Sequence, residues 1–129
     1  MAQVKVYALT SHLASVRTSL SETVHSCLVE ALELPPEKKF QRFLPLEPEN
    51  FIYPNDRTAR YTILEISLFE GRSVKAKKRL IRLLFKRLEA ACKIAPQDLE
   101  ITLFETPRHN WGIRGLPGDA LKLDYDAEV

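Results

Sequence analysis

Hydrophobic and polar positions follow two different periodicities in the first half of the chain, and each periodicity predicts a different element. Residues 3–8 alternate with a period of two, which predicts a strand. Apolar residues then recur at helical spacing until Pro35 and Pro36, which stop the predicted helix. These helical positions are Val16, Leu20, Val24, Cys27, Leu28 and Ala31. A second strand is predicted near residues 39–46.

The second half of the chain repeats this order of elements. Residues 60–69 predict a strand, after which Gly71 turns the chain and Ser73 is suited to cap a helix. That helix is predicted from about residue 74 to 92. Residues 99–103 alternate again and predict the last main strand.

A shift of 60 positions aligns the two halves without a gap. Sequence identity between the halves is low, but the apolar positions recur in the same order. This favours a structural duplication over a chance match between two unrelated βαβ units. We expect one domain over 1–129, with repeat one at about 3–47, repeat two at about 60–106, and a C-terminal loop and tail at 107–129. The connecting segments 48–59 and 107–119 are rich in Pro, Asn, Asp and Gly and are predicted loops or short hairpins.

Two βαβ units predict an α/β (α+β) fold. Each unit is parallel within itself and right-handed, so together they form a four-stranded mixed sheet with both helices on one face. The other face has no helix to cover it, yet Tyr61 and Ile63 are expected to lie opposite Leu64 and Ile66. An uncovered apolar sheet face usually finds a partner, so we predict a homo-oligomer.

Composition excludes several classes of protein. A net charge of +2 in 129 residues argues against a strongly basic nucleic-acid binder, and 45% hydrophobic residues suffice for a core. No apolar run reaches the roughly 18 residues that a membrane span needs, and no signal peptide is evident. We therefore expect a soluble cytoplasmic protein in which Cys27 and Cys92 are buried, unreactive thiols.

Neither a cofactor nor a metal is expected. The three histidines have no zinc-type spacing, and no Gly-rich phosphate loop or nucleophile elbow is present. A basic stripe along the second helix favours a solvated face over a nucleic-acid surface, because it lacks the interleaved aromatic residues that stack on bases. Its members are Lys75, Arg79, Arg82, Lys86 and Lys93.

The first candidate site lies where the third strand meets the second helix. Arg72 stands at that junction, where free N–H groups and a planar guanidinium suit a carboxylate. The alternative is a surface arginine beside a tight turn. His12 holds the equivalent position in repeat one and is interpreted as a surface residue near a helix start.

The second candidate site is the loop around the only tryptophan. Trp111 and Ile113 offer an apolar pocket wall and Arg114 a polar one. The alternative is that Trp111 plugs the sheet edge or a subunit contact. Asp124 and Asp126, in the tail, are interpreted as solvent-facing.

Taken together, these features resemble the tautomerase superfamily, in the branch around malonate semialdehyde decarboxylase. The resemblance is carried by the doubled βαβ layout, by Glu-Gly-Arg-Ser at 70–73, by Ile-Ala-Pro-Gln-Asp-Leu at 94–99 and by Trp-Gly-Ile-Arg-Gly at 111–115. It covers about residues 3–126.

The resemblance implies a homotrimer whose sheets pack around a central axis, with a small apolar pocket at each subunit boundary. It implies chemistry on small oxo acids or enols by an amino-terminal proline, with arginines that hold the substrate carboxylate. Arg72 takes that carboxylate role, and Trp111 and Ile113 match positions that line the pocket. We add Lys38 and Arg114 to the predicted substrate-binding residues.

The chain departs from the family pattern at the catalytic positions. Ala2 stands where the proline is expected, Lys38 where the decarboxylase branch has an acid, and Glu70 where it has a second arginine. If Met1 is removed, the Ala2 amine becomes a primary amine that can act as a base or form a Schiff base.

Two functions stay open. The first is a tautomerase-like isomerase or lyase of small oxo acids, with weak or altered tautomerase or decarboxylase activity. The second is a trimer that binds or senses a small anion without transforming it. The sequence does not name the substrate or the reaction.

Overall fold

Both halves of the chain form a strand, a helix and a second strand in a computed structural model that describes all 129 residues. The elements are β1 (Ala2–Leu9), α1 (Thr10–Leu32), β2 (Gln41–Leu46), β3 (Thr62–Phe69), α2 (Val74–Cys92), β4 (Leu99–Thr106), β5 (Gly112–Ile113) and β6 (Leu116–Pro117). Single turns of 3₁₀ helix lie at Pro48–Asn50, Pro96–Asp98, Arg108–Asn110 and Gly118–Ala120.

The main sheet has the strand order β2-β1-β3-β4. Within each half the two strands are parallel, and the halves meet through the antiparallel pair β1 and β3. Strands β5 and β6 form a separate antiparallel hairpin. The predicted four-stranded mixed sheet built from two βαβ units is therefore confirmed.

The internal repeat extends to the ends of the elements. Strands β1 and β3 cover equivalent residues at the 60-residue shift, and both helices end at equivalent positions. Glu33 and Lys93, which follow the helices, both adopt the left-handed conformation, with φ of 53° and 56°. The first and third 3₁₀ turns are also equivalent. Such agreement supports a duplicated unit over two similar but unrelated ones.

The hydrophobic core lies between the sheet and the two helices. Alternate residues of β1 and β3 point into it, and the apolar stripes of α1 and α2 cover them. Ser73 caps α2 as predicted, because its Oγ accepts a hydrogen bond 3.0 Å long from the Ala76 N–H. Cys27 and Cys92 are both buried and unpaired, as expected.

The uncovered sheet face is more polar than predicted. Lys5 and Glu65 lie opposite each other on β1 and β3, and the Tyr7 hydroxyl donates to Glu65 Oε1 over 2.7 Å. Tyr61 precedes β3, and its hydroxyl donates to Glu100 Oε1 on β4, the residue in register with Ile63 on this face. This face therefore carries both polar and apolar side chains, and its apolar exposure supports oligomerisation less strongly than the sequence indicated.

Neither helix combines the length and the hydrophobicity that crossing a membrane requires.

Candidate functional site

A cavity of about 200 Å³ opens at the start of β1. Its lining comes from four parts of the chain: the first residue, the turn before β2, the β5–β6 hairpin and the C-terminal segment. The lining residues are Met1, Lys38, Ile113, Arg114, Leu121, Lys122, Leu123, Asp124 and Tyr125.

The sheet topology explains why these parts meet. Because β1 runs antiparallel to β3, its start lies beside the end of β3, where Ala2 pairs with Leu68. Because β1 runs parallel to β2, the turn containing Lys38 lies at the same end, and the Val4 N–H donates to Phe40 O over 3.0 Å. The residues that line the cavity therefore meet at one end of the sheet.

Arg108 holds the C-terminal segment over this edge. Its Nε and Nη2 donate to Gly118 O at 3.2 and 3.1 Å, and Nη2 also donates to Leu121 O at 3.0 Å. The guanidinium carbon lies 5.3 Å from the Phe69 ring centroid. Gly118 fits here because a Cβ would lie only 2.4 Å from Arg108 O. Arg108 therefore anchors the start of the segment that closes the cavity.

The Met1 amine lies at this cavity and has a strongly lowered pKa. It donates a hydrogen bond to Tyr125 Oη. Burial, followed by the charges of Arg72, Arg108 and Lys38, lowers the pKa of this amine from 8.0 to about 5. At pH 7 the amine is therefore neutral, which is the form that accepts a proton or attacks a carbonyl.

Tyr125 stays protonated beside the amine. Burial raises the pKa of its phenol, although the charges of Arg72 and Arg108 oppose that shift. A neutral amine and a neutral phenol therefore share one hydrogen bond at the cavity wall. The phenol can hold the amine in place without competing with it for a proton.

Arg72 lies behind the cavity and does not line it. The residue is only 5% exposed, so the surface-arginine alternative is wrong. Its Nη1 donates to Leu32 O over 2.6 Å and closes the carboxyl end of α1, where carbonyl groups lack helical partners. Its Nε and Nη2 are buried without a hydrogen-bond partner. Its influence on the Met1 amine is electrostatic.

The remaining sequence candidates divide between the cavity and its surroundings. Lys38, Ile113 and Arg114 line the cavity. Trp111 packs edge-to-face on Phe69, with ring centroids 5.1 Å apart, and lines an adjacent shallow depression that Ile113 shares. Ala2 lies within β1 with its side chain in the core, so the amine at the cavity belongs to Met1.

Sequence reasoning missed the C-terminal segment. Asp124 and Asp126 are both exposed, as interpreted from the sequence, but Asp124 also lines the cavity. Asp126 instead accepts a hydrogen bond from the Glu128 N–H. The signal was present as an alternation in which Leu121, Leu123 and Tyr125 are separated by charged residues, a period of two in a region interpreted as a tail.

The opposite end of the duplicated sheet has no such cavity. The 60-residue shift places Tyr61 at the position of Met1, Asp98 at that of Lys38 and His12 at that of Arg72. None of these three residues lines a cavity.

Side chains fill this opposite end instead. Phe51 and Tyr53 pack on Tyr61 with ring centroids 5.3 and 5.2 Å away, and Asp98 accepts a 2.8 Å hydrogen bond from the Thr58 N–H. His12 is 7% exposed, so its interpretation as a surface residue was wrong. Because α1 already begins at Thr10, His12 lies in its first turn and is buried there.

Comparison with known proteins agrees with this architecture. A family model described as "Tautomerase enzyme" matches residues 38–114. The chain belongs to the tautomerase family. Among curated tautomerase relatives, the probable tautomerase YrdN of Bacillus subtilis (strain 168) is 30% identical over 98 residues, which cover 71% of this chain and 74% of that protein. The probable tautomerase YusQ of the same strain is 26% identical over 110 residues, 78% of this chain and 87% of that protein.

Solved structures share the tautomerase fold. A malonate semialdehyde decarboxylase superposes with a TM-score of 0.80 at 22% identity, over 92% of this chain and 99% of the other. A fused 4-OT wild type asymmetric trimer superposes with a TM-score of 0.81 at 20% identity, over 92% and 97% of the two chains. At these identities the likeness shows the fold.

Proposed function

We propose that this tautomerase-family chain catalyses proton transfer on small carboxylate-bearing oxo acids, with the amine at the start of β1 as the base. The observation that carries the proposal is the position of that amine. It lies in a small cavity, its pKa is lowered to about 5, and cationic side chains surround it. A base that is free at neutral pH next to positive charge suits an acid that must lose a proton from carbon or from an enol.

The surroundings support an anionic substrate. Lys38, Arg114 and Lys122 line the cavity, against one carboxylate, Asp124. Their charge stabilises the substrate carboxylate and the enolate that forms when the amine removes a proton. The amine then returns that proton to the other end of the enolate. Ile113 supplies an apolar wall that limits access of water.

Decarboxylation is an alternative reaction at the same site. The structurally similar malonate semialdehyde decarboxylase is described as having decarboxylase and hydratase activities. Loss of CO₂ from a 3-oxo acid also produces an enolate, and the same cations would stabilise it. Tautomerisation is our first choice, because it needs only the base and the cations.

The proposal includes a homotrimer with the cavity near a subunit boundary. The uncovered sheet face, the exposed ring of Phe104 on it and the trimeric state of the fused 4-OT protein support this assembly. Sedimentation of the purified chain tests it, since the mass should be three times the 14.8 kDa of the protomer. A monomer at micromolar concentration would contradict it.

The deciding experiment is a rate assay with an enol such as phenylenolpyruvate, followed by its ultraviolet absorbance. We expect the rate to rise as pH increases through about 5 and then to level off, because the amine loses its proton in that range. Tyr125→Phe should slow the reaction, because the phenol no longer holds the amine, and Lys78→Gln on the exposed side of α2 is the matched control. No turnover above buffer at any pH would refute catalysis.

Mass spectrometry of the purified protein identifies the residue that supplies the amine. If Met1 is present, the amine belongs to Met1, as in the structure; if it is removed, the amine belongs to Ala2. In the second case, Ala2→Pro should raise the rate if the cavity suits a secondary amine.

A trimer that binds a small anion without transforming it is the second candidate. The observation that favours it is Ala2, which stands where the family resemblance implies a catalytic proline. This candidate predicts saturable binding of a 2-oxo acid with no turnover, whereas the enzyme predicts both.

A further inference from the structure

Arg114 adopts a backbone conformation that is unfavourable for its residue type. It is the first residue of the two-residue turn between β5 and β6, with φ of 50°, and Gly115 follows with φ of 83°. Turns with two positive φ angles favour Asn-Gly or Gly-Gly, because side chains beyond Asn or Asp are strained there. Gly115 fits this rule and Arg114 does not. Strain of this kind persists where another requirement outweighs it.

The two other non-glycine residues with positive φ have a structural explanation. Glu33 and Lys93 follow α1 and α2, where helix ends commonly impose the left-handed conformation. Lys93 is exposed and lines no cavity. At Arg114 no helix end is present. The two-residue turn imposes the positive φ, but the backbone offers no reason for an arginine at that position.

The Arg114 side chain lines the cavity that contains the Met1 amine. It forms no ion pair, and neither do Lys38 and Lys122, the other two cations of the lining. Arg72, by contrast, directs its Nη1 to Leu32 O behind the cavity wall. Arg108 directs its donors to Gly118 O and Leu121 O. Arg114 is therefore the arginine of the cavity lining, it is exposed, and its planar donor fork is free to bind a carboxylate by two parallel hydrogen bonds.

We propose that Arg114 is the residue that binds the substrate carboxylate, assisted by Lys38 and Lys122, and that the hairpin keeps a strained turn in order to bring this guanidinium to the cavity. This inference rests on the proposed function for its substrate class, a small carboxylate-bearing oxo acid. It transfers to Arg114 the carboxylate-binding role that the sequence resemblance gave to Arg72. It also makes the hairpin turn a specificity element.

The turn allows an experiment in which stability and binding change in opposite directions. Arg114→Asn places a residue that tolerates positive φ at the turn, so the melting temperature should rise by about 2–5 °C. The same change removes the guanidinium, so the affinity for 2-oxobutanoate, titrated by NMR or calorimetry, should fall by about tenfold or more. Arg114→Lys keeps the charge without the fork and should bind with intermediate affinity.

Lys93→Gly is the matched control. It relieves the same left-handed conformation at a helix end, so it should also raise the melting temperature, while leaving 2-oxobutanoate affinity unchanged. Lys38→Gln and Lys122→Gln should each weaken binding by a smaller factor than Arg114→Asn, because each removes a point charge and not a bidentate partner.

Binding and turnover together separate this inference from the proposed function. If 2-oxobutanoate binds and Arg114→Asn abolishes that binding, the inference stands even where no turnover is found. If Arg114→Asn binds 2-oxobutanoate as tightly as the unmodified chain, the inference is overturned even where the enzyme is active. Failure of the unmodified chain to bind any small 2-oxo acid at millimolar concentration overturns it as well.

Discussion

Replacing Arg72 with methionine tests whether this buried arginine acts on the cavity through its charge. The side chain has two effects: Nη1 donates to Leu32 O over 2.6 Å at the end of α1, and the charge of the guanidinium lowers the pKa of the Met1 amine. Methionine fills much of the same space without charge or donors. The variant therefore removes one hydrogen bond and one electrostatic effect while leaving most of the packing.

The effect on stability follows from the hydrogen bonds. A hydrogen bond from a charged donor contributes about 1.5–3 kcal/mol. Part of this is offset, because Nε and Nη2 of Arg72 are buried without partners and their desolvation also disappears. We expect a net loss of about 1 kcal/mol, or about 3–5 °C in melting temperature for a chain of this length.

The effect on the amine appears in the pH profile. Burial is the largest cause of the lowered amine pKa and Arg72 is the next, so Arg72→Met should raise this pKa above about 5 but not to its ordinary 8.0. A higher pKa means that more of the amine is protonated in mildly acidic solution. The rate of the variant relative to the unmodified chain should therefore be lower near pH 5.5 than near pH 8, where both amines are free.

The assay is kcat/KM for phenylenolpyruvate between pH 4.5 and 8.5, with melting curves at each pH. Arg72→Lys is the control, because it keeps the charge and should leave the acid limb of the profile nearer its original position. An unchanged acid limb in Arg72→Met would refute the electrostatic role. Equal loss of rate at all pH values would instead mean that Arg72 contacts the substrate.

Three further predictions concern the fold. His12→Gln should make the free energy of unfolding depend less on pH below 6.5. Burial, followed by the charge of Arg60, lowers the pKa of His12, so at acid pH the unfolded chain binds a proton more readily than the folded chain and is favoured. Urea unfolding measured at several pH values checks this. Leu84→Ala removes a fully buried side chain from the middle of α2 and should cost about 2–5 kcal/mol in the free energy of unfolding, measured by urea titration. Ser73→Ala should cost about 1 kcal/mol in the same measurement because the Ala76 N–H loses its partner, and Ser73→Thr, which keeps the hydroxyl, should lose less.

The sequence predicted the fold well because its elements carry strong local signals. The period-two alternation of β1 and β3, the pair Pro35 and Pro36, and the cap at Ser73 each act within a few residues. The duplication then constrained the topology, since two right-handed βαβ units leave few ways to form one sheet. Strand β3 was predicted from residue 60 but begins at Thr62, because the Tyr61 N–H donates to Thr58 O in a turn, a contact that alternation does not reveal.

The candidate site was predicted only in part, because its members come together through contacts distant in sequence. Ile113 and Arg114 were predicted from the loop around Trp111, Lys38 was named after comparison with the family pattern, and all three line the cavity. Tyr125 was missed because its neighbour, the Met1 amine, lies at the other end of the chain. The burial of Arg72 could not be derived either, since it depends on the position of the end of α1 beside the start of α2.

Comparison of the two ends of the duplicated sheet shows which residues produce the candidate site. Strands β1 and β3 cover equivalent residues, but the position of the Met1 amine is occupied at the other end by Tyr61, whose peptide N–H already donates to Thr58 O. Ile113 corresponds to Tyr53, and Arg114 corresponds to Pro54, which has no donor to offer an anion. Aromatic rings therefore close one end, while at the other an uncharged amine and unpaired cations surround a cavity. The β5–β6 hairpin and the C-terminal segment that line the cavity have no counterpart at the other end, where no strand forms between β2 and β3. The proposed chemistry therefore depends on these two segments and on the side chains named above, because the duplicated sheet is common to both ends.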